Sequence, residues 1–216
     1  MIVTPTSPST VVAVDLISLR IQSVGGHLVR GWRRGVLTML DIRGGDCSWP
    51  DELKPKQEDG YFTRETFDDW WVRNSSRLVQ LHPMIAEQWV YRHWTLSPYC
   101  HLPLEHLHWR LEEWTTQQVL RDVFIADINV DAEHDFKVFN EFGGIPPAPV
   151  MNATGTWDYP ILVLETPSGV QTYTGELPEV RCLLIEGHNR YRYLNALAAK
   201  GRVSAHHTVF VLTYPN

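Results

Sequence analysis

The chain has 216 residues, 44% of them hydrophobic and 20% charged, and a formal net charge of −6. That size supports one generous domain or two small ones with a self-sufficient core, and the apolar content excludes a disordered chain. Cys47, Cys100 and Cys182 lie far apart and form no C-x-x-C, which argues against a disulfide framework and a cysteine zinc site alike. No apolar run reaches the roughly 18 residues of a membrane span, and the opening MIVTPTSPST lacks the basic and apolar parts of a leader peptide. A reduced, cytoplasmic setting without a membrane partner is therefore expected. Seven of the nine tryptophans fall between Trp49 and Trp114, so the middle of the chain must bury or display an unusual aromatic load.

Residues 1–10 read as a flexible tail, and the β-branched run Val11–Ile21 reads as a strand. A second strand pair is expected over His27–Ile42, turning at Arg33-Arg34-Gly35, followed by a polar loop from Gly44 to Gly60. Thr63 or Thr66 is positioned to cap a helix through FDDWWVRN, and Pro83 suits the first turn of PMIAEQWVYRHW, where a proline loses no helical hydrogen bond. Pro103 repeats that arrangement for PLEHLHWRLEEWTTQQVL, in which Leu104, Leu107, Leu111 and Trp114 recur at three- and four-residue steps. Residues 63–121 are thus expected to form a helical subregion holding most of the tryptophans.

Beyond it, residues 123–130 read as a strand and DAEHDFKVFNEF as a short helix opened by Asp131. Residues 143–159 form a Pro/Gly-rich connection. Pro160–Leu164 is a buried strand, Thr166–Gly169 a turn and Val180–Glu186 a second strand. Asn189–Lys200 is a helix stopped by Gly201, and His207–Thr213 closes the chain as a strand. Strand, helix and strand in so short a span predict an α/β unit, and one domain is expected over 1–216.

The chemistry concentrates at the strand-to-helix junction Ile185-Glu186-Gly187-His188-Asn189-Arg190-Tyr191-Arg192. A helix N-terminus presents unpaired N–H groups and a partial positive charge, which attract anions. Gly187 permits a sharp turn and close approach, Asn189 suits the cap, and His188 and Arg190 add donors beside the same point. The plainer reading makes Gly187 a turn, Asn189 a cap, and Arg190 and Arg192 solvated charges.

This stretch resembles the ParB/sulfiredoxin-like fold, in which a Pro-Ile-x-Val strand precedes a strand ending in Gly-(Glu, Cys or His)-x-Arg at a helix start. The matching positions are Gly155, Pro160, Ile161 and Val163, then Gly187, His188, Asn189, Arg190 and Arg192, within residues 155–213. The resemblance implies an α/β (α+β) fold, a small mixed sheet with a helical tryptophan-rich insertion. It also implies a nucleotide (ATP or CTP) or another phosphorylated small molecule held by Gly187, His188, Asn189, Arg190, Arg192 and Pro160. Magnesium would accompany the phosphates. Glu186 and His188 are the catalytic candidates if phosphoryl transfer or hydrolysis occurs, with Asp127, Asp131 and Asp158 as other acids; neighbouring strand residues alternate faces, so the direction of Glu186 is open. His188 stands where sulfiredoxins carry cysteine, so sulfinic acid repair is not implied. The acidic charge and the chain's end after the closing strand disfavour a DNA partner.

Two other functions compete: a non-catalytic interaction module with tryptophans at a subunit or partner contact, which admits a homo-oligomer, and a nuclease. Trp89 and Trp114 read as core, whereas Trp70, Trp71 and Trp94 are the surface candidates, with Arg73, Arg77 and Arg92 nearby. His93, His101, His106 and His108 invite a metal. On a helix, however, His106 and His108 point about 200° apart and cannot chelate one ion. G-x-S-x-G, Walker and G-x-G-x-x-G motifs are absent from the sequence.

Overall fold

The computed structural model describes residues 38–57, 64–94, 96–126, 128–141 and 145–214. The expected strand Val11–Ile21, most of the His27–Ile42 pair, Thr63 and Asp127 lie outside the described residues. In chain order the elements are β1 (Leu40–Asp41), α1 (Phe67–Asn74), α2 (Pro83–Ile85), β2 (His108–Thr115), α3 (Thr116–Asp122), β3 (Val123–Phe124) and α4 (Ala132–Glu141). They continue with α5 (Ala148–Thr154), β4 (Ile161–Glu165), β5 (Val170–Thr172), β6 (Gly175–Leu177), β7 (Cys182–Glu186), α6 (His188–Ala198) and β8 (His206–Thr213). The result is a mixed α/β fold.

A five-stranded sheet of order β2-β8-β4-β7-β3 forms the centre, and β1-β5-β6 forms a smaller one. Strand β4 runs parallel to β8 and antiparallel to β7. Alternation along these strands divides the core in two. Leu162, Leu164, Leu183, Ile185, Phe210 and Leu212 face one cluster. Ile161, Val163, Leu184, Val209 and Val211 face the other. Both faces are covered, which explains why PILVL and VFVL read as continuous apolar runs. The first cluster is completed by the region around α1 and α2, including Trp49, Trp70 and Trp89, all 5% exposed or less. The second is completed by residues of α4, α5 and α6, including Phe139, Met151 and Tyr193.

Local signals account for several elements. Thr66 caps α1 by accepting from the Asp69 N–H at 3.2 Å. Pro83 opens α2 while the His82 ring accepts from the Met84 N–H. The Asp131 carboxylate accepts from the N–H groups of Glu133 and His134 at the start of α4. Directly after α2 the chain continues as a π-helix over Ala86–Tyr91, a form rare outside short stretches at functional sites.

Four expectations are corrected in whole or in part. The helix expected from Pro103 forms only at its end, as α3: Leu104–His106 is a 3₁₀ turn and His108–Thr115 is a strand, paired with β8 through all eight of its residues. A full antiparallel ladder outweighs the helical spacing of four apolar residues. The loop from Gly44 is mostly exposed, as expected, but it is anchored: Trp49 and Leu53 are buried and the Trp49 indole donates to the Leu102 carbonyl. Its Cys47 is disulfide-bonded to Cys100, 53 residues away in sequence with Cα atoms 4.8 Å apart. Separation along the chain does not limit proximity in the fold. Finally, α5 interrupts the expected connection 143–159, with Pro149 in its first turn and Gly155, at φ 73°, closing it.

Candidate functional site

Strand β7 delivers Glu186 to the edge of the first cluster, and the reason is a bulge. Glu186 pairs with Leu162, yet the next ladder pair is Val163 with Leu184, so Ile185 is an extra residue on β7. Strict alternation would send Glu186 to the side of Leu184. The bulge re-aims it to the side of Ile185 and Leu162, toward the helix that follows α2. There its carboxylate lies 3.4 Å from His93 Nε2 and 3.7 Å from Arg190 Nη2. The direction left open by the sequence is thereby resolved.

Gly187 follows at φ 102° and caps α6 without any side-chain hydrogen bond. A β-carbon at this position would lie 2.7 Å from Ile161 Cγ2 and 3.1 Å from Arg190 Nη2. Glycine is therefore favoured both by the backbone, at positive φ, and by the close approach of Ile161 to the turn. Asn189 is exposed and does not cap the helix, a correction to its expected role, because Gly187 occupies that position. Pro160 is buried just before β4 and lies beside Ile161, which packs on the turn.

The two arginines also depart from the expected phosphate clamp. Arg190 is only 9% exposed; it donates to the Tyr159 carbonyl at 3.0 Å and to Gln88 Oε1 at 2.7 Å. Burial pulls its guanidinium below the usual arginine range while Glu186 opposes that shift, and it remains a cation. Arg192 turns to the opposite side, where its guanidinium bonds the fully buried Asp135 of α4 through Nε at 3.2 Å and through Nη2. It is a structural ion pair between α4 and α6, not part of the turn.

In place of a clamp, the fold assembles a polar cluster from three distant segments. Glu87, Gln88, Arg92 and His93 come from the π-helix and its end, Tyr159 precedes β4, and Glu186, His188 and Arg190 surround the turn. Tyr159 donates its hydroxyl to Glu87, which also faces Arg92 at 3.5 Å. Burial first, and then Glu87, raises the Tyr159 phenol above its usual range. Gln88 is 2% exposed. Because arginine only donates, its contact with Arg190 fixes the Gln88 amide with Oε1 inward. The Gln88 Nε2 group then has no hydrogen-bond partner among the described residues. His188 is half-buried, and burial lowers its imidazole below the ordinary value, with Glu186 acting in the opposite sense. It is thus mainly neutral near pH 7.

The other candidates do not converge on this point. Asp131 is occupied as the α4 cap. Asp158 is exposed, and its charge reaches Arg190 only as a weak influence. Trp70 is fully buried, with its indole donating to the Leu53 carbonyl at 2.7 Å, so it is core and not surface. Trp71 and Trp94 are half-buried against the same cluster. Arg73 is tied to Glu65 and to the Lys54 carbonyl. Among the described residues, no three histidine, cysteine or acidic side chains are arranged to hold a metal ion. A cleft of about 530 Å³ beside α4 and α5 is lined by Phe139, Ile145 and Pro149, among others, and by none of the motif residues.

Gln88 is missed by a linear reading, and His93 enters it only as a metal candidate. They lie about a hundred positions before Arg190, and only the π-helix brings them to the turn. No family model, curated protein or solved structure matches the chain.

Proposed function

We propose that the chain binds a nucleotide or another phosphorylated small molecule at the N-terminus of α6 and that Glu186 with His93 supports phosphoryl transfer or hydrolysis there. The observation that carries this reading is the α6 terminus, where Gly187 offers no side-chain hydrogen bond, beside a buried Gln88 amide whose donor group has no acceptor among the described residues. Two independent features thus ask for acceptor oxygens at one place. The N–H groups of His188, Asn189 and Arg190 hold phosphate oxygens, and neutral His188 adds a donor. Arg190 acts from behind the turn, where its charge offsets Glu186. Glu186 orients the His93 imidazole, whose other nitrogen exchanges a proton with the attacking or leaving oxygen.

The resemblance to the ParB/sulfiredoxin-like fold supports the same ligand class. Magnesium, on this reading, arrives on the phosphates of the ligand. A nucleotide ligand goes with the cytoplasm, whereas the Cys47–Cys100 disulfide weighs toward a more oxidising setting. Among the described residues no helix is long and apolar enough to cross a membrane.

Thermal shift with ATP, CTP and inorganic phosphate tests the binding step. At ligand 100-fold above Kd the expected stabilisation is about 2.7 kcal/mol, or several degrees for a chain of this size. Asn189→Asp is the informative variant. An exposed acid in the first turn favours the helix but repels an anion, so folding persists and the shift disappears. Equal shifts in both proteins, or none in either, would falsify the reading.

A further inference from the structure

Among the described residues the five-stranded sheet ends in two unlike edges. On one side β3 has two residues, too short to template another strand. On the other side β2 has eight, paired through their whole length to β8. Among the described residues no backbone hydrogen bond reaches its outer side. Trp109, Leu111 and Glu113 oppose Leu212, Phe210 and Thr208 on one face, whereas Arg110, Glu112 and Trp114 oppose Val211, Val209 and His207 on the other. Leu111 is 53% exposed and Trp109 37%, so large apolar side chains stand half-bare at this rim.

We propose that two copies of the chain pair antiparallel through β2, about a twofold axis at Leu111, to form one continuous sheet. A twofold axis perpendicular to a sheet keeps each residue on its own face. The opposed residues then have the same parity, and only a few registers remain. With the axis at Leu111, Leu111 meets Leu111 of the second copy, and Arg110 of each copy meets Glu112 of the other. An axis at Glu112 gives the same overlap but sets Glu112 against Glu112. An axis at Arg110 shortens the overlap and sets Arg110 against Arg110. Like charges directly opposite are unfavourable and unlike ones favourable, so the sequence of β2 selects the Leu111 register. Within one chain Arg110 already pairs with Glu112. Dimerisation closes these charges into a ring of alternating sign, and on the other face it covers Leu111 and the rim of Trp109.

The test is a charge swap read by light scattering and sedimentation on the full chain. Wild type is expected to dimerise reversibly. Arg110→Glu and Glu112→Arg, each alone, place like charges opposite and weaken the dimer roughly tenfold or more. Mixing the two variants restores it, because each mixed pair regains both attractions. Arg110 also pairs with Glu165 in its own chain, so circular dichroism confirms that each variant is folded. Leu111→Glu, which sets Glu opposite Glu at the axis, is a second route to the monomer. Wild type that stays monomeric up to about 100 μM, where even weak specific pairs form, overturns the proposal. So does a dimer indifferent to both single swaps, or a mixture that fails to recover.

Discussion

The two faces of the central sheet are equally apolar along β4, β7 and β8, yet they end differently at the turn into α6. On the α4 face, Arg192 and Asp135 close a tight pair, with the carboxylate fully buried. On the opposite face, Arg190 divides its guanidinium between a carbonyl and an amide, Glu186 stands 3.4 to 3.7 Å from its two partners, and the Gln88 donor is idle among the described residues. Two arginines in one helical turn therefore have opposite characters. A saturated pair holds elements together, while an unsaturated cluster leaves bonding capacity for something else.

The sharpest way to break this contrast is Arg192→Ala, which strands the Asp135 carboxylate in the interior. A loss of about 3–5 kcal/mol in urea unfolding is expected. Arg192→Met with Asp135→Leu, which removes both charges, recovers most of it. If Arg192→Ala is tolerated, the pair is not structural. Next comes Gly187→Ala, expected to cost about 1–3 kcal/mol because a side chain at φ 102° is strained and meets Ile161. In the same variant the displaced Arg190 weakens phosphate binding; unchanged affinity would separate the turn from the site.

The smallest effect is a pH dependence. Burial depresses the imidazole of His188, so below its ordinary value of 6.5 the unfolded chain takes up a proton that the folded chain refuses. Stability therefore falls as pH drops through about 6.5 and levels off below the folded value, with a slope under about 1.4 kcal/mol per pH unit for each such group. His82 and His207 are depressed by burial in the same way. Substituting His188→Asn should flatten the curve only in part, and a phosphate ligand should lose its affinity over a different range if His188 donates to it.

How much of this was legible in the chain depends on whether the signal was local. The strands around Ile161–Glu165 and Cys182–Glu186, the helix after Gly187, the Thr66 cap and the Asp131 cap all rest on neighbours in sequence. Leu111 and Trp114 misled for a physical reason. Their spacing suits a helix, but Leu111 is a half-exposed edge residue and the ladder with β8 decides the conformation. The Cys47–Cys100 bond and the fate of each arginine depend on partners about 50 to 100 residues away, and the facing of Glu186 on a bulge against β4, none of which a spacing rule encodes.

The π-helix over Ala86–Tyr91 has a further consequence. A π-turn contains one residue more than the α-turn it replaces, so this segment carries a surplus residue between fixed ends. Deleting one residue there, such as Ala86, lets an ordinary helix span the same fixed ends, so what lies beyond keeps its place while the side chains inside the segment change the direction in which they face. Gln88 would swing away from Arg190 although every side chain of the site is still present. The assembly of the cluster is thus set by the count of residues as much as by their kinds. A change in length, which a comparison of side chains alone passes over, is the simplest event by which such a site is gained or lost.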